Sequence, residues 1–169
     1  MKKRNIIIAV LIAFLVLGAL IFGTKLNGER IVGNSYRCGD LNEMKGQEQK
    51  ILISDYQTFV KYFNENANFI YGLYGKIKSN YNQEILDTYS EEYFEEKQLG
   101  VVYQYASSGA IKVEYKKCKI KDNVAYITYD RITPSGMMTA DSNGYFVIVE
   151  LPKEVTSIET KMIEKIKWF

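Results

Sequence analysis

Hydrophobic and polar positions change rhythm along this chain, and the first stretch has no rhythm at all. From Asn5 to Gly23 there is no charge, and nearly every residue is Ile, Leu, Val, Ala or Phe. As a helix this run of about nineteen residues would be ~28 Å long, the thickness of a bilayer's hydrocarbon core. A helix satisfies its own backbone hydrogen bonds, so such a run crosses lipid without orphaned polar groups. Lys2, Lys3 and Arg4 stand before it, and cations flanking a span stay on the cytoplasmic side. The expectation is a cytoplasmic tip and transmembrane anchor over residues 1–23, single-pass in the cell membrane, with residues 24–169 extracytoplasmic. The competing reading is a cleaved signal peptide, whose apolar stretch runs about 7–15 residues to a small-x-small exit. Here Leu17-Gly18-Ala19 and Ile21-Phe22-Gly23 place Leu and Ile at the outer position, which favours an uncleaved anchor. No cysteine near the exit offers a lipid attachment point.

Residues 24–48 show no sustained period and carry four glycines, so they read as a stalk or lead-in. The domain proper is expected over 49–169. A short strand spans Lys50–Ile53, and Ser54-Asp55-Tyr56-Gln57 has the form of a capping box, with Ser54 as the cap. Tyr56, Phe59, Val60 and Phe63 then follow at i, i+3, i+4, i+7, the apolar face of a helix ending near Asn64–Asn66. Residues 67–89 give no assignment. A second helix is expected from Ser90, with Glu91 and Glu92 in the first turn, where the dipole favours anions.

Beyond it the period becomes two. Gln98–Tyr105 reads as a strand and Ser107-Ser108-Gly109 as a turn. In Ala110–Lys121, Ile111, Val113 and Tyr115 share one face, while Cys118 and Ile120 fall on the opposite parity. One extra residue at Lys116–Lys117 restores them, which predicts a β-bulge there. Asp122-Asn123 then makes a tight hairpin turn into Val124–Arg131. After the connection Thr133–Asn143, the run Gly144–Leu151 is apolar on both parities, the mark of a central strand covered on both faces. Val155–Lys167 alternates like an edge strand, although Met162, Ile163 and Ile166 also suit a helix. The fold class expected is α+β: an antiparallel sheet of about five strands with one or two packed helices, preceded by the transmembrane helix.

Charge changes this picture little. Three of the 22 basic residues lie in the first four positions, leaving 19 against 20 acidic groups outside, a net of −1. Such a domain has no overall field to steer nucleic acid, and no nucleic-acid partner is expected. The chemistry is more decisive. There is no histidine, which excludes Ser-His-Asp and Cys-His catalysis and removes the commonest zinc ligand. No phosphate-binding glycine loop occurs. Asp141-Ser142-Asn143-Gly144 resembles part of a calcium loop, but Thr139 stands where its first ligand belongs. The expectation is no catalytic residues, no metal and no cofactor. A carboxylate-based hydrolase survives only because Asp and Glu are plentiful.

Cys38 and Cys118 are a possible disulfide. Pairing would close a loop of about 80 residues and stabilise by ~3–5 kcal/mol, provided the Cα atoms approach within ~7 Å. Paired and reduced states both stay open.

What remains is surface. The 133–143 connection is long, and long ordered loops are often binding loops. Its candidate contact residues are Thr133, Pro134, Met137, Met138, Thr139 and Asp141, with the methionines as adaptable apolar contacts. The structural alternative is that the methionines fold over the sheet edge and cap the core. The 14 tyrosines offer amphipathic area for a protein partner or for stacking on sugars, although Tyr56, Tyr115 and Tyr126 sit at core periodicity. Lys112, Lys116, Lys117, Lys119 and Lys121 form a basic strip that suits an anionic wall polymer or lipid headgroups, or simply guards an edge.

Taken together, Ile51–Ile158 resembles a known pattern. It runs from a strand and a capped aromatic helix through Tyr93-Phe94-Glu95-Glu96, a hydrophobic strand and Ser107-Ser108-Gly109. Arg131-Ile132-Thr133-Pro134, Thr139-Ala140-Asp141 and a strand ending Val149-Glu150-Leu151 follow. This resembles the PrcB C-terminal-like domains and the uncharacterised anchored proteins of Gram-positive bacteria that share the pattern. The resemblance implies an accessory, non-catalytic role. The family usually carries Gly-Gly-Tyr where this chain has Ser108-Gly109-Ala110. The function expected is a membrane-anchored interaction module for a protein or peptide at the cell surface, with a cell-wall or polysaccharide binder as the alternative.

Overall fold

Two strands that are apolar on both parities organise the molecule. The structure is a computed structural model, and it describes residues 31–38, 48–65, 69–72, 75–78, 81–136, 138–139 and 141–168. The elements in chain order are β1 (Gly33–Cys38), β2 (Gln49–Ile53), α1 (Tyr56–Glu65), β3 (Phe69–Gly72), β4 (Gly75–Lys78), α2 (Tyr81–Thr88), α3 (Tyr93–Glu96), β5 (Lys97–Ala106), β6 (Lys112–Lys121), β7 (Val124–Pro134), β8 (Asn143–Pro152) and β9 (Ser157–Lys167). The compact unit runs from Ile31 to Phe169. Among the described residues no helix is long and apolar enough to cross a membrane. The expected anchor at 5–23 lies outside them, as does most of the segment read as a lead-in.

Strands β5 and β8 form the centre of a four-stranded antiparallel sheet of order β1-β8-β5-β2. Side chains alternate across a strand, so each of the two central strands feeds two cores. Leu99, Val101, Tyr103, Phe146 and Ile148 turn to the helices, where Phe59, Phe63, Ile85 and Phe94 meet them. Val102, Val147, Val149 and Leu151 turn the other way, onto Val113, Ala125, Ile127 and Ile158 of a second, three-stranded sheet of order β6-β7-β9. The β3–β4 hairpin stands apart as a two-stranded sheet. The layers are therefore helices, sheet, sheet.

The α+β class holds, and its details are corrected. A single sheet of about five strands cannot cover Gly144–Leu151 on both faces with only one or two helices. A second sheet supplies the missing cover. Nor are all pairings antiparallel, since β7 and β9 run parallel from Val124↔Ser157 to Pro134↔Lys167. β1, in the segment read as a lead-in, pairs with β8 as an edge strand. Three helices occur among the described residues, and α2 lies in the stretch left unassigned; Ile85 within it and Tyr89 just past its end are buried against the core.

Local chemistry explains the boundaries. The cap of α1 is Asp55, one residue later than the expected Ser54: Thr58 N–H donates to Asp55 Oδ1 at 2.8 Å. That bond holds the Asp55 carboxyl below its ordinary value. The bulge falls between Tyr115 and Lys117, as the parity argument required. Asp122 and Asn123 have φ of 51° and 59°, the left-handed pair of a two-residue hairpin turn joining Lys121 to Val124.

Candidate functional site

The C-terminal ends of β5, β7 and β9 meet the N-terminal ends of β6 and β8 at one end of the sandwich. The register shows it: Ala106 pairs with Asn143, Lys112 with Ile132, and Pro134 with Lys167. The expected contact residues gather here. Thr133 and Pro134 are not in a loop; they extend β7 and pair with Ile166 and Lys167. Ser135 N–H continues the ladder by donating to Lys167 O at 2.9 Å. The free connection is therefore shorter than the sequence suggested, because a parallel partner holds its first two residues.

The connection is then knitted to the Ser107–Ala110 turn. Thr139 Oγ1 lies 3.0 Å from Ser108 Oγ, and Gly109 N–H donates to Asp141 O at 2.8 Å. A Cβ at Gly109 would overlap the Asp141 carboxylate, so glycine is required by close approach. The Asp141 carboxyl is held below its ordinary value, first by a hydrogen bond from the Thr139 side chain, with Gly109 N–H and the Arg37 charge adding. Arg37 reaches Asn143 Oδ1 through Nε at 3.0 Å and Nη2 at 2.9 Å. Asn143 is buried, and its Nδ2 has no partner among the described residues. Ser107-Ser108-Gly109 and Thr139–Asp141, two separated pieces of the family-like pattern, thus meet as one structural knot. Met138 stands out of it, 50% exposed, and does not cap the core. Met137 lies outside the described residues.

Beside this knot the inner face of β9 runs out of its cover. Ile158 is 8% exposed, Met162 40% and Ile166 65%, all on one parity, and Trp168 beyond the strand is 79% exposed. Sequence reading missed this surface because it left 155–167 between strand and helix. The signal was present in the alternation of Ile158, Met162 and Ile166. Deeper in the same gap lies a polar network. Tyr129 Oη is 2.6 Å from Glu48 Oε2 and 2.8 Å from Gln104 Oε1, and Thr160 Oγ1 bonds the other Glu48 oxygen. Burial, reinforced by the Glu48 carboxylate, pushes the Tyr129 phenol well up; it is a fixed donor. Arg131 Nε meets Glu164 Oε1 at 3.7 Å at the rim.

The cysteines do not join. Cys38 is buried in the core under the helices, whereas Cys118 packs against the core between the sheets. The four-stranded sheet separates the two cores. Desolvation pushes the Cys118 thiol up to about 11. Among the described residues no three His, Cys, Asp or Glu side chains come together as a metal site. Compared with protein-family models, with curated proteins and with solved structures, the chain gives no match, so any reading of function rests on its own residues.

Proposed function

We propose that this protein is a membrane-anchored, extracytoplasmic interaction module without catalytic activity, engaging a protein or exposed peptide at the end of the sandwich built by Thr133–Asp141 and the end of β9. One observation carries the reading. Among the described residues, four of the seven exposed large hydrophobic side chains are Met138, Met162, Ile166 and Trp168, and they belong to segments joined by the Pro134↔Lys167 pairing. Methionine and tryptophan are the side chains enriched where proteins meet. Ser108, Gly109, Thr139 and Asp141 hold the connection that presents Met138. The apolar run at 5–23 supports the membrane address.

The test is capture in membranes by photo-cross-linking, with the photo-reactive residue at position 138 with and without Ile166→Asp, and at position 166 with and without Met138→Asp. Both side chains are exposed, so the fold should stay intact by circular dichroism while a defined cross-linked band disappears. Retention of the same band in both variants would remove this end of the molecule as the contact.

A further inference from the structure

The three-stranded sheet has an outer face that the helices and the first sheet leave uncovered. Ala125, Ile127 and Tyr129 point inward, so alternation sends Val124, Tyr126, Thr128, Asp130, Ile132 and Pro134 of β7 outward. On β6 the bulge has a second effect. Val113 and Cys118 both pack inward although five residues apart. The extra position sends Lys116 and Lys117 outward together, between Lys112 and Lys119. Ile158 fixes the inner parity of β9, so Lys161, Lys165 and Lys167 also face out. The outward positions of the three strands hold eight lysines against three carboxylates, Glu114, Asp130 and Glu159, a net of +5.

The opposite pole is acidic. The three helices and their caps carry seven carboxylates against two lysines, Lys61 and Lys97. A net charge near zero thus conceals a polarised domain. The basic face is organised as well: a central column on β7 lies between a lysine column on β6 and another on β9. Strand spacing puts the columns ~10 Å apart, with alternate residues ~6.7 Å apart along each. The one carboxylate of the central column, Asp130, is 7% exposed. It is already matched by Lys165 and by Lys116 at 3.7 Å. Lys112, Lys117, Lys119 and Lys161 make no ion pair among the described residues. Tyr126, 46% exposed, stands between Lys119 and Glu159 in the central column.

We propose that this face binds a linear polyanion, a flexible phosphodiester chain lying along β7 with its charges on the flanking lysines. Charge complementarity and a repeating cation spacing argue for a chain. A bilayer contact would need exposed apolar side chains that enter the lipid; here Val124, Ile132 and Ile163 are half-buried between longer lysines, and the exposed side chain of the central column is Tyr126. This site is separate from the sandwich end described above, and either can fail without the other.

The test titrates the full-length protein in neutral detergent with fluorescent poly(glycerol phosphate) across a range of salt. Comparison arms use phosphatidylglycerol vesicles and sedimentation of the protein alone. Counter-ion release makes affinity fall with salt in proportion to the phosphates neutralised, by ~0.7 in log–log slope per contact on a flexible chain. The combined variant Lys117→Gln, Lys119→Gln, Lys161→Gln should lower the slope by about 2 and cost roughly a hundredfold in affinity at ~0.1 M salt. Lys61→Gln on the acidic pole should leave both unchanged. An unaltered slope in the triple variant, an equal loss in Lys61→Gln, binding to vesicles without binding to the polymer, or salt-sensitive self-association abolished by the triple variant would each overturn the proposal.

Discussion

Replacing Gly109 by alanine tests the knot that holds the 138–141 segment, and the structure gives the expected size. The backbone at Gly109 is not in the left-handed region, so alanine adds no conformational strain of its own. The cost is steric: the new Cβ would fall 2.7 Å from Asp141 Cγ and 2.8 Å from Oδ1. Relief requires the exposed Asp141 side chain to swing aside, which gives up its Thr139 hydrogen bond and strains the 2.8 Å Gly109–Asp141 backbone bond. It also loosens the Ser108–Thr139 hydroxyl contact, whose Ser108 end is 1% exposed. A net hydrogen bond is worth ~1 kcal/mol, and a buried hydroxyl left short of a partner costs about 1–3 kcal/mol. Ala110 N–H still reaches Ser108 Oγ at 3.3 Å, which keeps the second figure at the low end. Gly109→Ala should therefore destabilise by ~2 kcal/mol.

The sharper measurement is a double-mutant cycle. Asp141→Ala removes the obstructing carboxylate and keeps the backbone carbonyl that accepts from Gly109. By itself it should cost under ~1 kcal/mol, because the lost Thr139 hydrogen bond is made to an exposed, solvent-screened carboxylate. In that background Gly109→Ala has room, so the pair should be less destabilised than the sum by about 1–2 kcal/mol. Urea unfolding followed by far-ultraviolet circular dichroism gives the four free energies. Strict additivity would show that the two residues do not touch, and the close approach would be wrong.

Two further outcomes bear on the cores. Phe59 is fully buried and meets Tyr56, Phe63, Tyr89 and Phe94 at ring-centroid distances of 5.2 to 6.1 Å; Phe59→Ala should cost ~3–5 kcal/mol by urea unfolding, and a loss under ~1 kcal/mol would mean the helical layer is not packed as described. The Cys118 thiol, raised to about 11 by burial, should alkylate at pH 8 roughly two orders of magnitude more slowly in the fold than after unfolding, and a raised thiol pKa stabilises fully below the unfolded value of ~8.5 and is lost as pH climbs toward 11; rapid modification of the native protein, or a faster-running oxidised band on a non-reducing gel, would contradict it.

What the sequence made legible follows from where its signals are local. The parity break between Tyr115 and Cys118 is a statement about side-chain direction alone, so the bulge could be placed to the residue. Asp122-Asn123 likewise tolerate the left-handed backbone themselves. The helix at Tyr56 was visible in its aromatic spacing, but its cap was misplaced because Ser54 and Asp55 are equally good acceptors. Only the chain's path chooses between them. Pairings at long range left no such mark. β1 has a burial pattern that alternates weakly and joins β8 more than a hundred residues later. The parallel pairing of β7 with β9 depends on β8 crossing to the other sheet in between. That pairing converts Thr133 and Pro134 from loop into strand and exposes the inner face of β9. The site was legible as a neighbourhood and not as a surface.

The run Gly144–Leu151 shows how far one local pattern can reach once its physical demand is followed. A strand apolar on both parities must be covered twice, because each exposed apolar side chain forgoes about 1.5–3 kcal/mol of burial. Aromatic residues at helical spacing could cover one face. Ile127, together with Val113 and Ile158 on strands whose other parity is mainly charged or polar, could cover the second. Those alternating strands have one face to give, so their opposite face is necessarily solvent's, and it is there that the lysines accumulate. The basic face and the double core are thus two consequences of one constraint: the second sheet exists to bury β5 and β8, and the chemistry it shows outward is what burial leaves free to vary.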